Sequence, residues 1–182
     1  MTARETGWQD EVLSFWFGLT KEQWWGGGAE LDSEIHERFF ELWERERENV
    51  PEVFLGTPRD AIAAVILFDQ FPRNMLRGHA DQFSTDPLAL AIARGAVERH
   101  LDERMSPAER GFLYMPFQHS ENIADQRRSL TLFTKLGDPG QLDFAQKHHD
   151  VIARFGRFPH RNAMLGRPPR ADEIAAGDVV PW

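Results

Sequence analysis

Apolar residues recur at intervals of three and four positions along almost the whole of this chain of 182 residues. This spacing places them on one face of an α-helix, whereas a half-buried β-strand needs alternation at every second position. No stretch shows sustained alternation with an enrichment in β-branched residues. The first stripe consists of Trp8, Val12, Phe15, Trp16 and Leu19. The pattern therefore predicts an all-α fold.

Proline and glycine divide this pattern into about seven to eight helices. Three predicted starts pair a capping residue with a proline in the first turn: Thr57-Pro58, Asp86-Pro87 and Ser106-Pro107. The last of them has Glu109 at the third helical position, which completes a capping box. Two later helices are predicted to end at Gly137 and Gly156, and a short one covers 171–176. The short connections predict antiparallel hairpins that form one compact bundle.

Three local expectations follow from side-chain chemistry. Asp32 is predicted to be the N-cap of the second helix. Pro72 is predicted to end the third helix, because proline lacks an N–H donor and clashes with the preceding turn. Pro116 is expected to break or kink the fifth helix, which would make the carbonyl of Phe112 available to another group.

Length and composition bound the class of protein. About 150 residues per domain predict a single domain over 1–182, and a hydrophobic content of 41% excludes disorder. The longest apolar run, Ala61–Phe68, is too short for the roughly 20 residues of a membrane span. The chain has no cysteine, and its first residues lack a signal-peptide pattern. We therefore expect a cytoplasmic protein.

Net charge and the spacing of metal-ligand residues limit the kinds of partner and cofactor that the sequence predicts. A formal net charge of −8 disfavours nucleic acid and anionic membranes as partners. His119 with Glu121, and His149 with Asp150, are metal-ligand types, but their spacing does not place two ligands on one helical face. We predict no metal site and no cofactor.

Two segments, 68–76 and 155–165, resemble each other. In each segment a predicted helix is followed by a Phe-Pro pair and then by an arginine next to an asparagine. These pairs are Arg73-Asn74 and Arg161-Asn162. One interpretation is a repeated helix stop, in which arginine binds the last carbonyl groups of the helix. The other is that both pairs converge on one anionic ligand, since the guanidinium group fits a carboxylate or a phosphate.

Polar residues gather at the ends of the apolar segments, where a helical bundle can build a pocket. The predicted ligand-binding residues are Asp69, Arg73, Asn74, His119, Glu121, His160, Arg161 and Asn162. In the neighbouring pair of histidines, His149 shares a stripe with Leu142 and Ile152 and is expected to lie in the core. His148 would then point further outward.

Four long segments carry a resemblance to a known family: 12–18 (VLSFWFG), 69–74 (DQFPRN), 114–121 (YMPFQHSE) and 154–162 (RFGRFPHRN). They resemble the bacterial family known as domain of unknown function 924, over about residues 8–180. The resemblance implies an all-helical fold classed with tetratricopeptide-like proteins. It brings no established reaction or ligand.

Three functions are compatible with these residues. The leading hypothesis is a protein that binds a small anionic molecule or a peptide carboxylate in a polar pocket. The second is an enzyme that acts on an anionic metabolite, with His119 or His160 in acid–base chemistry beside Glu121 or Asp69. The third is a module for a protein partner without a pocket, in which aromatic residues such as Trp24, Trp25 and Trp182 form the contact surface.

Overall fold

The computed structural model describes residues 7–181. Within this range the chain forms α-helices, short 3-10 turns and one π-helical turn, and no β-strand, which confirms the all-α prediction. The helices are α1 (Trp8–Gly18), α2 (Lys21–Gly26), α3 (Ala29–Glu46), α4 (Pro58–Val65), α5 (Phe71–Met75), α6 (Asp86–Glu98), α7 (Pro107–His119), α8 (Ile123–Leu136), α9 (Pro139–Phe155) and α10 (Ala171–Ala176). None of them is long and apolar enough to cross a membrane.

The chain divides into two compact units, residues 1–105 and 106–182. The single domain expected from the length stays a prediction. Charge is distributed unequally between the units: the first has 11 basic and 20 acidic residues, and the second has ten basic and nine acidic residues. The acidity of the whole chain therefore belongs to the first unit.

The first unit is organised around aromatic side chains on α1, α3 and α5. The ring of Phe71 lies 4.5 Å from that of Phe39, 5.8 Å from that of Trp16 and 6.0 Å from that of Phe15, measured between centroids. The apolar run Ala61–Phe68 is fully buried, as a helix with no polar face requires. Burial of these apolar side chains stabilises this unit.

The expectation that Pro72 ends the helix is wrong, because the backbone accommodates the proline with a π-helical turn. Residues Ile66–Gln70 widen into this turn, in which Phe71 N–H donates to the carbonyl of Ile66, five residues earlier. The helix then resumes as α5. Proline displaces the carbonyl four residues before it, and that group, on Phe68, accepts a hydrogen bond of 2.7 Å from the hydroxyl of Thr85.

Two other local expectations also differ from the structure. The helix α7 runs through Pro116, so the expected break is absent there. The N-cap of α3 is Gly28, at φ 139°, and not Asp32. The carboxylate of Asp32 is instead bound by Asn74 and Arg77, and these bonds to a distant segment replace a local cap.

The short helix α2 was not predicted, although its capping box is present in the sequence. The hydroxyl of Thr20 accepts from Gln23 N–H at 3.2 Å, and the side chain of Gln23 accepts from Thr20 N–H at 2.9 Å. Six residues are too few to show an apolar stripe.

In the second unit, α8 packs against both α7 and α9. The connections between these helices are short, as expected for helical hairpins. The capping box of Ser106 and Glu109 is present at the start of α7, and Gly137 and Gly156 end α8 and α9 in the left-handed conformation. A 3-10 turn, Pro159–Arg161, follows α9. The end of α7 and this turn carry the predicted site residues of the unit.

Candidate functional site

The eight predicted site residues fall into two sets, one in each unit. The first unit contains Asp69, Arg73 and Asn74, and the second contains His119, Glu121, His160, Arg161 and Asn162. The hydrogen-bond and ion-pair partners of each set show which of its side chains are bound within the protein.

Arg73 binds acidic groups of its own unit. Its guanidinium donates to both carboxylate oxygens of Asp86, at 2.8 and 2.9 Å, and to the backbone carbonyl of Asp69. Burial disfavours the charged guanidinium, but the carboxylates of Asp69 and Asp86 outweigh this effect and hold the pKa of Arg73 above its ordinary value. These contacts favour the interpretation of this arginine as a helix-end tie.

Asn74 and its surroundings form a second internal network. The amide of Asn74 donates to Asp32 at 2.9 Å, and Arg77 donates to the same carboxylate at 2.6 and 3.0 Å. Burial would raise the pKa of Asp32, but these bonds outweigh it and the pKa lies below its ordinary value. All three predicted residues of the first unit are therefore engaged in contacts within that unit, which link α5 to α3 and α6.

In the second unit, two histidines and Arg161 surround the buried ring of Phe158. The ring centroids of His160 and His148 each lie 5.6 Å from that of Phe158, and Cζ of Arg161 lies 4.5 Å from it. His119 lies 6.1 Å from His148. We call these four polar residues, His119, His148, His160 and Arg161, the imidazole cluster.

His148 was expected to point outward, but it is 6% exposed, whereas His149 is half-buried. Nδ1 of His148 lies 2.7 Å from the carbonyl of Phe144, so this nitrogen carries the proton and donates it. Burial lowers the pKa of His148 to about 3, helped by His119, Arg161 and His160. The ring is therefore neutral at pH 7, with Nε2 as its acceptor.

Glu121 positions the backbone beside this cluster. Its carboxylate accepts from Phe158 N–H at 2.7 Å and from two nitrogens of Arg167 at 2.7 and 2.9 Å. Burial would raise the pKa of Glu121, but Arg167 and the Phe158 N–H outweigh it, with a contribution from Arg161, and the pKa is lowered. Its charge is thus neutralised by Arg167, and its main role here is to hold Phe158 in place.

Asn162 links Glu121 to the last helix. It donates to Glu173 at 3.0 Å and accepts from Arg167 at 3.1 Å. Glu173 is also bound by Arg157, and hydrogen bonds from Arg157 lower the pKa of Glu173 to about 2. This network fixes α10, and the sequence reasoning missed it, because no regular spacing relates these residues.

The proposed aromatic contact surface is only partly an open surface. Trp24 stacks on Trp16 at 6.5 Å and donates to its carbonyl at 2.8 Å, so it belongs to the packing of α1 and α2. Trp25 is 61% exposed. Trp182 lies outside the residues described here.

The imidazole cluster offers hydrogen-bond donors and one permanent positive charge. A guanidinium group has five N–H donors, and an imidazole can present a donor or an acceptor. Between residues 7 and 181, no three His, Cys, Asp or Glu side chains are grouped as a metal site would require. Guanidinium and imidazole groups are the side chains that proteins use for anion recognition and proton exchange.

Comparisons with known proteins place this geometry in a family. A solved structure of the protein of unknown function ATU0120, from Agrobacterium tumefaciens, is similar with a TM-score of 0.84 and 36% sequence identity, over 93% of this chain and 96% of the other. A search of curated proteins gives no match. The family model for bacterial proteins of unknown function, DUF924, matches residues 12–176. The chain therefore belongs to the DUF924 family.

Proposed function

We propose that the second unit binds the carboxylate or phosphate group of a small molecule or of a peptide terminus, through the imidazole cluster. The observation that supports this most strongly is that two imidazoles and a guanidinium surround Phe158 and a third imidazole, that of His119, lies beside His148. Three of the four members, His119, His160 and Arg161, were selected from the sequence for this chemistry.

Electrostatics favours an anion at this place over others in the chain. The second unit has no excess of acidic residues. The carboxylate of Glu121 is paired with Arg167 at 2.7 Å. The planar guanidinium of Arg161 is positively charged and has the donor geometry that a phosphate or a carboxylate requires. Of the two Arg-Asn pairs the proposal uses Arg161 alone, since Arg73 is bound by Asp86 and Asn162 by Glu173.

Inorganic phosphate and acetate are suitable probes, titrated by calorimetry at pH 7 and low ionic strength. The substitution Arg161→Met should weaken phosphate binding by at least about tenfold, because a charge-assisted hydrogen bond contributes roughly 1.5–3 kcal/mol. Arg154→Met is the matched control: Arg154 is an exposed arginine of the same unit and lies on Phe155. Equal affinity in Arg161→Met, or no binding of either probe by the native protein, would contradict the proposal.

A second candidate function is acid–base catalysis on an anionic metabolite at the same cluster. The observation that favours it is the fixed tautomer of His148, a neutral imidazole close to His119. A screen of phosphorylated and carboxylated metabolites should then show turnover that His119→Ala abolishes and His149→Ala preserves. Binding without turnover in the whole screen would leave anion binding as the function.

A further inference from the structure

Gln126, on α8, joins the two backbone groups on either side of His119. Its side-chain NH2 group donates to the carbonyl of Gln118 and to that of Ser120, both at 2.7 Å. The Gln126 side chain is fully buried. It therefore fixes the backbone at the end of α7, where His119 lies.

These two bonds also settle the orientation of the amide. Both acceptors are carbonyl oxygens, so the group that faces them is the NH2, and Oε1 points the other way. Oε1 has no donor within hydrogen-bond distance among the residues that the structure describes. The hydroxyl of Ser129, also fully buried, has no partner in the same part of the chain.

Gln126 and Ser129 are three residues apart on α8, so their side chains project from neighbouring positions on one helical face. Buried acceptors without a partner are strongly disfavoured, and most such atoms in native proteins are paired with protein groups or with ordered water. A single water molecule can donate to Oε1 and exchange a second hydrogen bond with the hydroxyl.

We propose that one ordered water molecule binds between Oε1 of Gln126 and Oγ of Ser129. Water fits these atoms because both are buried and belong to uncharged groups, and Oε1 requires a donor. The water completes a chain of hydrogen bonds from Ser129 through Gln126 to the backbone on both sides of His119. This inference does not depend on the proposed anion binding.

Ser129→Ala tests the proposal by the sign of its effect. Alanine has a higher helix propensity than serine, and removal of an unpaired buried hydroxyl is favourable, so without the water the variant should melt at a higher temperature. If the hydroxyl holds a bound water, the melting temperature should fall by about 2–4 °C. Ser14→Ala, at an exposed serine inside α1, measures the propensity effect. A higher melting temperature for Ser129→Ala would overturn the proposal.

A crystal structure of the native protein at high resolution gives an independent test. We expect a density peak within hydrogen-bond distance of both Oε1 of Gln126 and Oγ of Ser129, and its loss in Ser129→Ala. A direct hydrogen bond between the two side chains, or the absence of a peak in well-ordered surroundings, would exclude the water site.

Discussion

Gly95, in the middle of α6, shows how a packed neighbour can restrict a position to glycine. A Cβ atom at this position would lie 2.5 Å from Cδ1 of Leu55, which is itself buried. Alanine normally stabilises a helix interior by about 0.5–1 kcal/mol relative to glycine. In a packed core, however, one extra methyl group costs about 1–3 kcal/mol. We expect Gly95→Ala to lower the free energy of unfolding by about 1 kcal/mol, measured by urea denaturation.

The control for this variant is Gly18→Ala. Gly18 is the last residue of α1, and a Cβ there meets no atom within 4 Å. Its stability should be unchanged or higher. If Gly95→Ala is as stable as Gly18→Ala, then Leu55 moves without cost and the packing argument fails.

The histidine pair on α9 shows what the sequence could not resolve at this scale. Residues 148 and 149 differ by about 100° around a helix, and both positions share a face with apolar residues. The contact of His148 with Phe158, which follows the end of α9, decides which ring is buried. Helical periodicity within α9 contains no information about that contact.

At the scale of elements, the helix starts were predictable because their signals are local. Ser106 accepts from Glu109 N–H at 3.3 Å, and Glu109 accepts from Ser106 N–H at 2.8 Å. Ser106→Ala should lower the free energy of unfolding by about 1 kcal/mol, since it leaves one N–H group of the first turn without its side-chain acceptor. Urea denaturation measures this, and Ser106→Thr should retain most of the stability. A loss equal to that of alanine in the threonine variant would show that the cap is not the cause.

The helix ends at proline were less predictable. Whether the helix continues past Pro72 depends on Thr85, whose hydroxyl donates a hydrogen bond to the carbonyl of Phe68. Thr85 is 13 residues further along the chain, and only folding brings it to the π-helical turn. A sequence rule for proline describes the lost hydrogen bond, but it does not show which group replaces it.

At the scale of the whole molecule, burial of His148 makes stability depend on pH. In the unfolded chain its pKa is near the ordinary value of 6.5, and in the folded protein it is about 3. Between these values the unfolded state binds more protons, so stability falls as pH decreases from 6.5 toward 3. The difference between pH 7 and pH 5 should be of the order of 2 kcal/mol.

The carboxylates with lowered pKa values change the free energy of unfolding mainly below pH 5, so they contribute little to the difference between pH 7 and pH 5. The pKa values of Asp32 and Glu121 lie below their ordinary values of 3.8 and 4.5, so their stabilisation is present above these values and is lost only as pH falls further. Urea denaturation at pH 7, 6 and 5 should therefore show a loss that His148→Phe removes and His149→Phe retains. A native protein equally stable at pH 5 and pH 7 would show that His148 is not buried as a neutral ring.

The sequence by itself determined the fold class and most helix starts and ends. These features depend on helical periodicity and on capping groups within a few residues of each other. The tertiary structure decided the partners of the two Arg-Asn pairs: Asp86 and Asp32 bind Arg73 and Asn74, Glu173 binds Asn162, and Arg161 lies over the ring of Phe158. The reason is physical: the partners of a buried charge come from distant parts of the chain, and folding alone brings them within hydrogen-bond distance.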